Sequence, residues 1–219
     1  MKHTLEIDSV EVSFGERQIL RGVYLKMETG GVTALLGSNG SGKSCLMRVL
    51  CGTLRSTFKS MRIDGAWTAQ IESRDVRYMP QHKFIPNKLR GEDVFRDFDL
   101  DVQQFIDWFP DLWHILQSRV DCLSGGERRV LECYIILCSD ARFVMLDEPF
   151  SQVMPLHIEV LKRLILREKE RKGILLTDHL YRHVQSIADM LYLLESGHTR
   201  LVHSTDDLIR FGYLASAKF

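Results

Sequence analysis

The octapeptide Gly37-Ser38-Asn39-Gly40-Ser41-Gly42-Lys43-Ser44 constrains this chain more than any other stretch, because glycines and a lysine at these spacings admit few backbone paths. It fits the pattern G-x-x-x-x-G-K-[ST]. The apolar run Val32-Thr33-Ala34-Leu35-Leu36 leads into it, and the helix-prone Cys45-Leu46-Met47-Arg48-Val49-Leu50 follows. Strand, glycine-rich turn and helix in that order aim backbone N–H groups and the positive end of a helix dipole at one point, as phosphate binding requires. Lys43 is placed to reach the β- and γ-phosphates of a nucleotide, and the Ser44 hydroxyl to ligate Mg2+. A plain Gly/Ser-rich turn would match the residues but would not need those flanks. The stretch reads as a nucleotide site.

The rest of the chain supplies a sheet around that loop. Leu5, Ile7, Val10 and Val12 alternate with polar neighbours, as do residues from Ile19 to Met27, and both segments suggest half-buried antiparallel strands joined at Phe14-Gly15-Glu16-Arg17. Met61-Arg62-Ile63 and Val76-Arg77-Tyr78-Met79 read as short strands around the Asp64-Gly65 turn, before Pro80-Gln81 breaks the pattern. From Asp93 to Val120 aromatics recur at helical spacing (Phe95, Phe98, Phe105, Trp108, Phe109, Trp113), which implies two or three short helices interrupted at Pro110, with the aromatics as their core. Leu156 to Lys172 is an amphipathic helix, Tyr181 to Met190 a further helix, Leu191–Leu194 with Thr199–Val202 a closing hairpin, and Asp206 to Phe211 a last helix. Nothing resembles a linker or a repeat. The expectation is one α/β domain over residues 1–219, with a mostly parallel sheet, an N-terminal antiparallel β subdomain and a helical lobe at about 84–138 inserted in it.

Two further stretches end in chemistry. Leu123-Ser124-Gly125-Gly126-Glu127 precedes an amphipathic helix running from Arg128 to about Cys138, and offers either a second nest of free N–H groups or a helix capped by Ser124. Phe143-Val144-Met145-Leu146-Asp147-Glu148-Pro149 is a fully apolar run ending in two carboxylates, so a buried parallel strand delivers acids to the sheet edge where ligands bind. Asp147 would hold Mg2+ through its shell and Glu148 would polarise an attacking water. Ile174-Leu175-Leu176-Thr177-Asp178-His179 places a histidine at an equivalent edge. Phe14 suits a core position on sequence physics alone, or a face on which a base could stack.

Bulk properties narrow the partners. With 29 basic and 29 acidic residues the formal charge is zero, which gives no reason to expect nucleic acid or a charged membrane surface. No apolar run approaches the roughly 18 residues of a membrane span, and Met1-Lys2-His3-Thr4-Leu5-Glu6 lacks a signal-peptide core. Cys45, Cys51, Cys122, Cys133 and Cys138 lack metal-ligand spacing and read as reduced thiols of the cytosol.

The phosphate loop, Gln81, Leu123-Ser124-Gly125-Gly126-Glu127, Asp147-Glu148 and His179 follow one another in an order that closely resembles the nucleotide-binding subunit of the ATP-binding cassette (ABC) family, over nearly the whole chain. The resemblance implies a set of roles. Gly37 through Ser44, with Cys45, bind the phosphates of ATP; Ser44, Gln81 and Asp147 serve Mg2+; Gln81 senses the γ-phosphate and the attacking water. Glu148 is the catalytic carboxylate, His179 the switch histidine, and Phe14 falls at the adenine-stacking position, which reverses the core preference. Ser124, Gly125 and Gly126 then act on ATP held by a second nucleotide-binding subunit, so that two chains sandwich two ATP molecules. Three departures stand out: Cys45 where the family usually has Thr, Met154 where it has Asp before Pro155, and a short helical lobe. Pro149-Phe150-Ser151 and Leu176-Thr177-Asp178-His179 are most similar to the lipopolysaccharide-export ATPases.

The implied function is an ATPase driving transport through a separate integral membrane subunit, the chain lying in the cytoplasm against the inner face of the membrane. The alternative is a soluble ATPase of this family that remodels a cytosolic partner. Two local expectations accompany this. His82-Lys83-Phe84-Ile85-Pro86, with Leu89 and Phe95, is expected to be an exposed apolar docking surface for a helix of the membrane subunit. Cys45, at a helix N-terminus near Lys43, is either a thiol of lowered pKa or a buried packing residue.

Overall fold

The computed structural model describes residues 2–72 and 74–214. The chain begins with an antiparallel pair, β1 (Thr4–Phe14) and β2 (Arg17–Glu28), and passes through β3 (Val32–Leu36) into helix α1 (Lys43–Leu50). Strands β4 (Phe58–Ile63) and β5 (Ala66–Trp67) return to the first pair, so the antiparallel sheet has four strands in the order β2-β1-β4-β5. After β6 (Val76–Met79) come the short helices α2 (Gly91–Asp97) and α3 (Val102–Trp108), a 3-10 turn at Pro110–Leu116, a second at Val120–Cys122, and helix α4 (Gly125–Cys138). The remainder alternates as β7 (Phe143–Asp147), α5 (Pro155–Glu168), β8 (Gly173–Thr177), α6 (Tyr181–Gln185), β9 (Met190–Glu195), β10 (His198–Val202) and α7 (Thr205–Arg210).

The second sheet has six strands in the order β10-β9-β3-β8-β7-β6. All its neighbours are parallel except β10 on β9. The central strands β3, β7 and β8 are buried throughout, and their residues divide between the two faces. Val32, Ala34, Leu36, Val144, Leu146, Ile174 and Leu176 join the core shared with α4, α5 and the helical segments. Leu35, Phe143, Met145 and Leu175 join a second core that holds α1 under β1 and β2. Burial on both faces is why these strands read as unbroken apolar runs, whereas β1 and β2 alternate. The carboxyl ends of four neighbouring strands (β3, β8, β7 and β6) therefore lie side by side, and each leads directly into one of the motifs.

Several sequence expectations need correction. Met190 does not end a helix. Helix α6 stops at Gln185, and Met190 opens β9, paired with Thr33. The Asp189 N–H donates to the Val32 carbonyl and the Val32 N–H to the Asp189 carboxylate, both at 2.8 Å, so sheet pairing captures residues with adequate helix propensity. Helix α5 ends at Glu168 rather than Lys172, because Lys172 turns inward to donate to the Leu137 and Ser139 carbonyls. Helix α4 starts at Gly125, three residues before the expected Arg128. Of the aromatic stripe, Phe95, Phe105 and Phe109 form a core with Tyr134, while Trp113 is 57% exposed.

The expected exposed surface after Gln81 also fails in part. Ile85 and Phe95 are buried, and Phe84 and Leu89 are half-buried against the core. Helix α4 pulls the segment down. Arg128 donates to the Ile85 carbonyl at 2.5 Å and to Asn87 Oδ1 at 2.7 Å, and the Phe84 N–H donates to Glu132 at 3.3 Å. A charge at Ile85 would thus disturb folding rather than selectively uncouple a partner.

Gly91, the first residue of α2, carries a packing prediction. A Cβ there would overlap the Ile115 carbonyl oxygen and lie 2.9 Å from the Leu116 Cα, and backbone atoms cannot turn away as a side chain can. Gly91→Ala is expected to destabilise the protein by about 1–3 kcal/mol. Thermal unfolding should show the loss, with nucleotide affinity unchanged because Gly91 lies outside the phosphate loop.

Candidate functional site

Backbone geometry explains the glycines of the loop between β3 and α1. Gly37 has φ +156, and a Cβ on it would meet the Leu194 carbonyl and Ser41 Oγ, each at 2.6 Å. Gly42 caps α1 in the left-handed region at φ 107, and its Cβ would meet Ile19 and Leu20 at 2.9 Å. Lys43 bends back across the loop, donating to the Gly37 carbonyl at 2.8 Å and to that of Ser38 at 3.2 Å. Its ammonium is buried, which pulls its pKa down, while Glu148, Asp147 and Asp178 oppose the shift. A polyanion arriving at this point would relieve that cost. Ser41 Oγ, buried in the same loop, has no hydrogen-bond partner among the described residues.

The carboxylates stand at the edge of the next strands. Asp147 ends β7, is 1% exposed, and accepts hydrogen bonds from Thr177 Oγ1 at 2.7 Å and the Tyr78 hydroxyl at 3.0 Å. Burial and the adjacent Asp147 raise the Tyr78 pKa, so it stays a donor. Glu148 turns out of the strand through a left-handed backbone, φ 55, with its N–H donating to the Thr177 carbonyl at 2.8 Å. Gln81 Nε2 donates to Glu148 Oε2 at 3.0 Å, and His179 Nδ1 lies 4.0 Å from the same oxygen. Asp178 holds the adjoining loops together, accepting from the Phe150 and Leu180 N–H groups at 2.9 Å each.

A cavity of about 380 Å³ gathers Phe14, Asn39, Gly40, Gly42, Lys43, Ser44, Cys45, Gln81 and Glu148, together with Arg17 and Ile19. A volume of that order accepts a small-molecule ligand. Phe14 is 53% exposed at its rim, so the core reading made from sequence physics is wrong and a stacking face is available. Gly125 instead lines a neighbouring cavity of about 460 Å³, which shares Gln81 with the first. Ser124 caps α4, with its Oγ accepting from the Glu127 N–H at 3.3 Å. The structure therefore brings the phosphate loop, Gln81 and Glu148 into one cavity, and leaves Ser124, Gly125 and Gly126 outside it.

Of the two readings of Cys45, its burial favours the packing one. Its thiol is half-buried, and that burial raises the pKa; Arg48 pulls it down and Asp147 adds to the rise. Thiolate is scarcer at neutral pH than for a free cysteine. Alkylation of Cys45 followed by mass spectrometry is expected to run slower than that of the exposed Cys122 and to accelerate as pH rises above the ordinary thiol range.

Sequence reading missed Arg129. Its guanidinium is buried and donates to the carbonyls of Asp147, Glu148 (3.0 Å) and Pro80 (2.9 Å), which joins α4 to the ends of β6 and β7. It also missed Thr177 and Tyr78 beside Asp147. The available signal was a pair of adjacent arginines at the start of a helix whose later residues are mostly apolar, where carbonyls or carboxylates are needed to satisfy any that turn inward.

Comparison with known proteins identifies the family of the chain. The family model described as ABC transporter matches residues 20–151. An uncharacterized ABC transporter ATP-binding protein of Rhizobium meliloti is 30% identical over 222 residues, covering 94% of this chain and 82% of that protein. The lipopolysaccharide export system ATP-binding protein LptB of Escherichia coli is 29% identical over 220 residues, with coverages of 92% and 90%. Among solved structures, an ATP-binding subunit of an ABC transporter superposes with a TM-score of 0.79 at 23% identity, covering 97% of this chain and 95% of that one. The family model spans more than half of the chain and the relatives cover most of it, so the chain belongs to the ABC transporter family.

Proposed function

We propose that this chain is the ATP-hydrolysing subunit of a transporter, working as a pair of copies against a separate integral membrane subunit at the cytoplasmic face of the membrane. The observation that carries the reading is that Glu148, Gln81 and Lys43 line one cavity with the phosphate loop. Loop N–H groups and Lys43 receive the β- and γ-phosphates, and Phe14 stacks on the adenine. Ser44, Asp147 and Gln81 offer the hydroxyl, carboxylate and amide oxygens that suit a hard cation such as Mg2+, which when bound would neutralise charge on the phosphates. Water attacks the γ-phosphorus, Glu148 accepts its proton, and ADP leaves with inorganic phosphate. The hydrogen bond from Gln81 keeps the Glu148 carboxylate aimed at that water, and His179 stands on the same side with its Nδ1 4.0 Å from the same oxygen. Lys43 counters the charge that accumulates on the phosphoryl oxygens.

Ser124, Gly125 and Gly126 then contact the γ-phosphate bound by the second copy, and the helical lobe at about 84–138 carries them. Their separation from the phosphate cavity of their own chain supports this. Among the described residues no helix is long and apolar enough to cross a membrane. Isolation of the protein from detergent-solubilised membranes tests the proposal. It should co-purify with an integral membrane protein that alters its ATPase rate, whereas recovery only with a soluble partner would establish the remodelling alternative.

A further inference from the structure

The 3-10 turn at Pro110–Leu116 makes two histidine–carboxylate contacts whose residues, apart from Glu127, belong to none of the motifs. At one end, His114 Nε2 lies 2.9 Å from Glu127 Oε1. The other oxygen of Glu127 accepts from the Ser124 N–H at 2.8 Å, and Ser124 Oγ accepts from the Glu127 N–H at 3.3 Å. A capping box normally leaves its carboxylate one oxygen free, and here His114 takes it. An ionised carboxylate only accepts, so Nε2 carries the proton. At the other end, Asp111 Oδ2 lies 2.8 Å from Nε2 of His157, a buried residue of α5 whose ring meets Phe109 edge-on.

Gln152 packs against the same turn. A Cβ on Gly126 would lie 2.6 Å from the Gln152 carbonyl, and one on Gly125 would overlap the Gln152 side chain. Ser124-Gly125-Gly126 thus packs against Gln152 and is bonded through Glu127 to His114, whose 3-10 turn is tied to α5 by the Asp111–His157 contact. Within this arrangement the Ser124 hydroxyl is used as an acceptor, so its own hydrogen is free to donate outward. Glu127 is the one negative charge in Leu123–Glu127, and the Ser124 N–H and His114 engage both of its oxygens.

We propose that His114 is a positioning residue for ATP-driven pairing of two copies: through Glu127 it fixes Ser124-Gly125-Gly126 in the orientation that meets the γ-phosphate on the second copy. This rests on the proposed role of those three residues. The test uses the full chain carrying Glu148→Gln, with dimerisation followed by sedimentation against Mg-ATP, and nucleotide affinity of the monomer titrated separately. His114→Ala is expected to weaken dimerisation about tenfold with nucleotide affinity unchanged. His114→Gln, whose amide nitrogen reaches as far as Nε2, should restore it to within about twofold. Ser124→Ala should weaken it at least as much as His114→Ala. If Ser124→Ala weakens pairing and His114→Ala does not, the inference is overturned while the role of the turn stands. If Ser124→Ala has no effect, the role itself fails and the inference with it. A loss in His114→Ala that follows its melting temperature and is not restored by Gln would make His114 merely structural, which also overturns the inference.

Discussion

Glu148→Gln is expected to slow steady-state phosphate release by about two to four orders of magnitude while leaving ATP affinity within about twofold. The substitution is isosteric, and the amide can still pair with Gln81 and reach the same point in the cavity. What it cannot do is take a proton from water. Neither Gln81 nor His179 is positioned to take over: an amide is no base, and His179 stands 4.0 Å from Glu148 Oε2 with its side chain 54% exposed to solvent. Binding survives because the phosphate loop is built from backbone and from Lys43. ATP then persists in the site, and any state that requires bound ATP should accumulate. Phosphate release within about threefold of wild type would place the base elsewhere.

Lys43→Ala is expected to weaken ATP binding by about ten- to a hundredfold and to lower hydrolysis further still. The ammonium is the loop's only side-chain charge, held over it by the Gly37 and Ser38 carbonyls. Its removal takes away a charge-assisted bond to the phosphates and leaves two carbonyls without their donor. Those carbonyls would then repel the anion that the ammonium attracts. Arg is not a substitute, because its planar fork does not fit where a compact ammonium sits between two carbonyls. Fluorescent-nucleotide titration beside phosphate release measures both effects, and unchanged affinity would show that the loop holds nucleotide by its backbone alone.

What could be read from the sequence was local pattern that the tertiary structure had no reason to override. Val32–Leu36, Phe143–Asp147 and Gly173–Thr177 are buried on both faces, so their apolar runs announced parallel strands, and Asp147 and Thr177 at the ends of the last two marked the sheet edge where the site lies. The phosphate loop was legible because Gly37 and Gly42 occupy positions that a Cβ would fill. Met190 was misread because parallel pairing with Thr33 outweighed helix propensity. Ile85 and Phe84 looked like an exposed apolar surface because the residues that draw them inward, Arg128 and Glu132, are 43 and 48 positions away along the chain. Cys45 stayed open between two readings for a different reason. Position at a helix start argued for thiolate, but the depth of burial that opposes it depends on packing of α1 beneath β1 and β2, which the local sequence does not carry. Phe14 could be placed at the site only through the family resemblance, since an aromatic at a strand end is equally at home in a core.

The central claim is that two copies of this chain close on two ATP molecules, each bound by the phosphate loop of one copy and contacted by Ser124-Gly125-Gly126 of the other. Sedimentation of the Glu148→Gln protein with and without Mg-ATP, combined with a count of bound nucleotide, tests it directly. The account predicts a monomer without nucleotide and a dimer holding two ATP molecules with it. A protein that binds ATP and remains monomeric at every concentration, or pairs equally well without nucleotide, would contradict it.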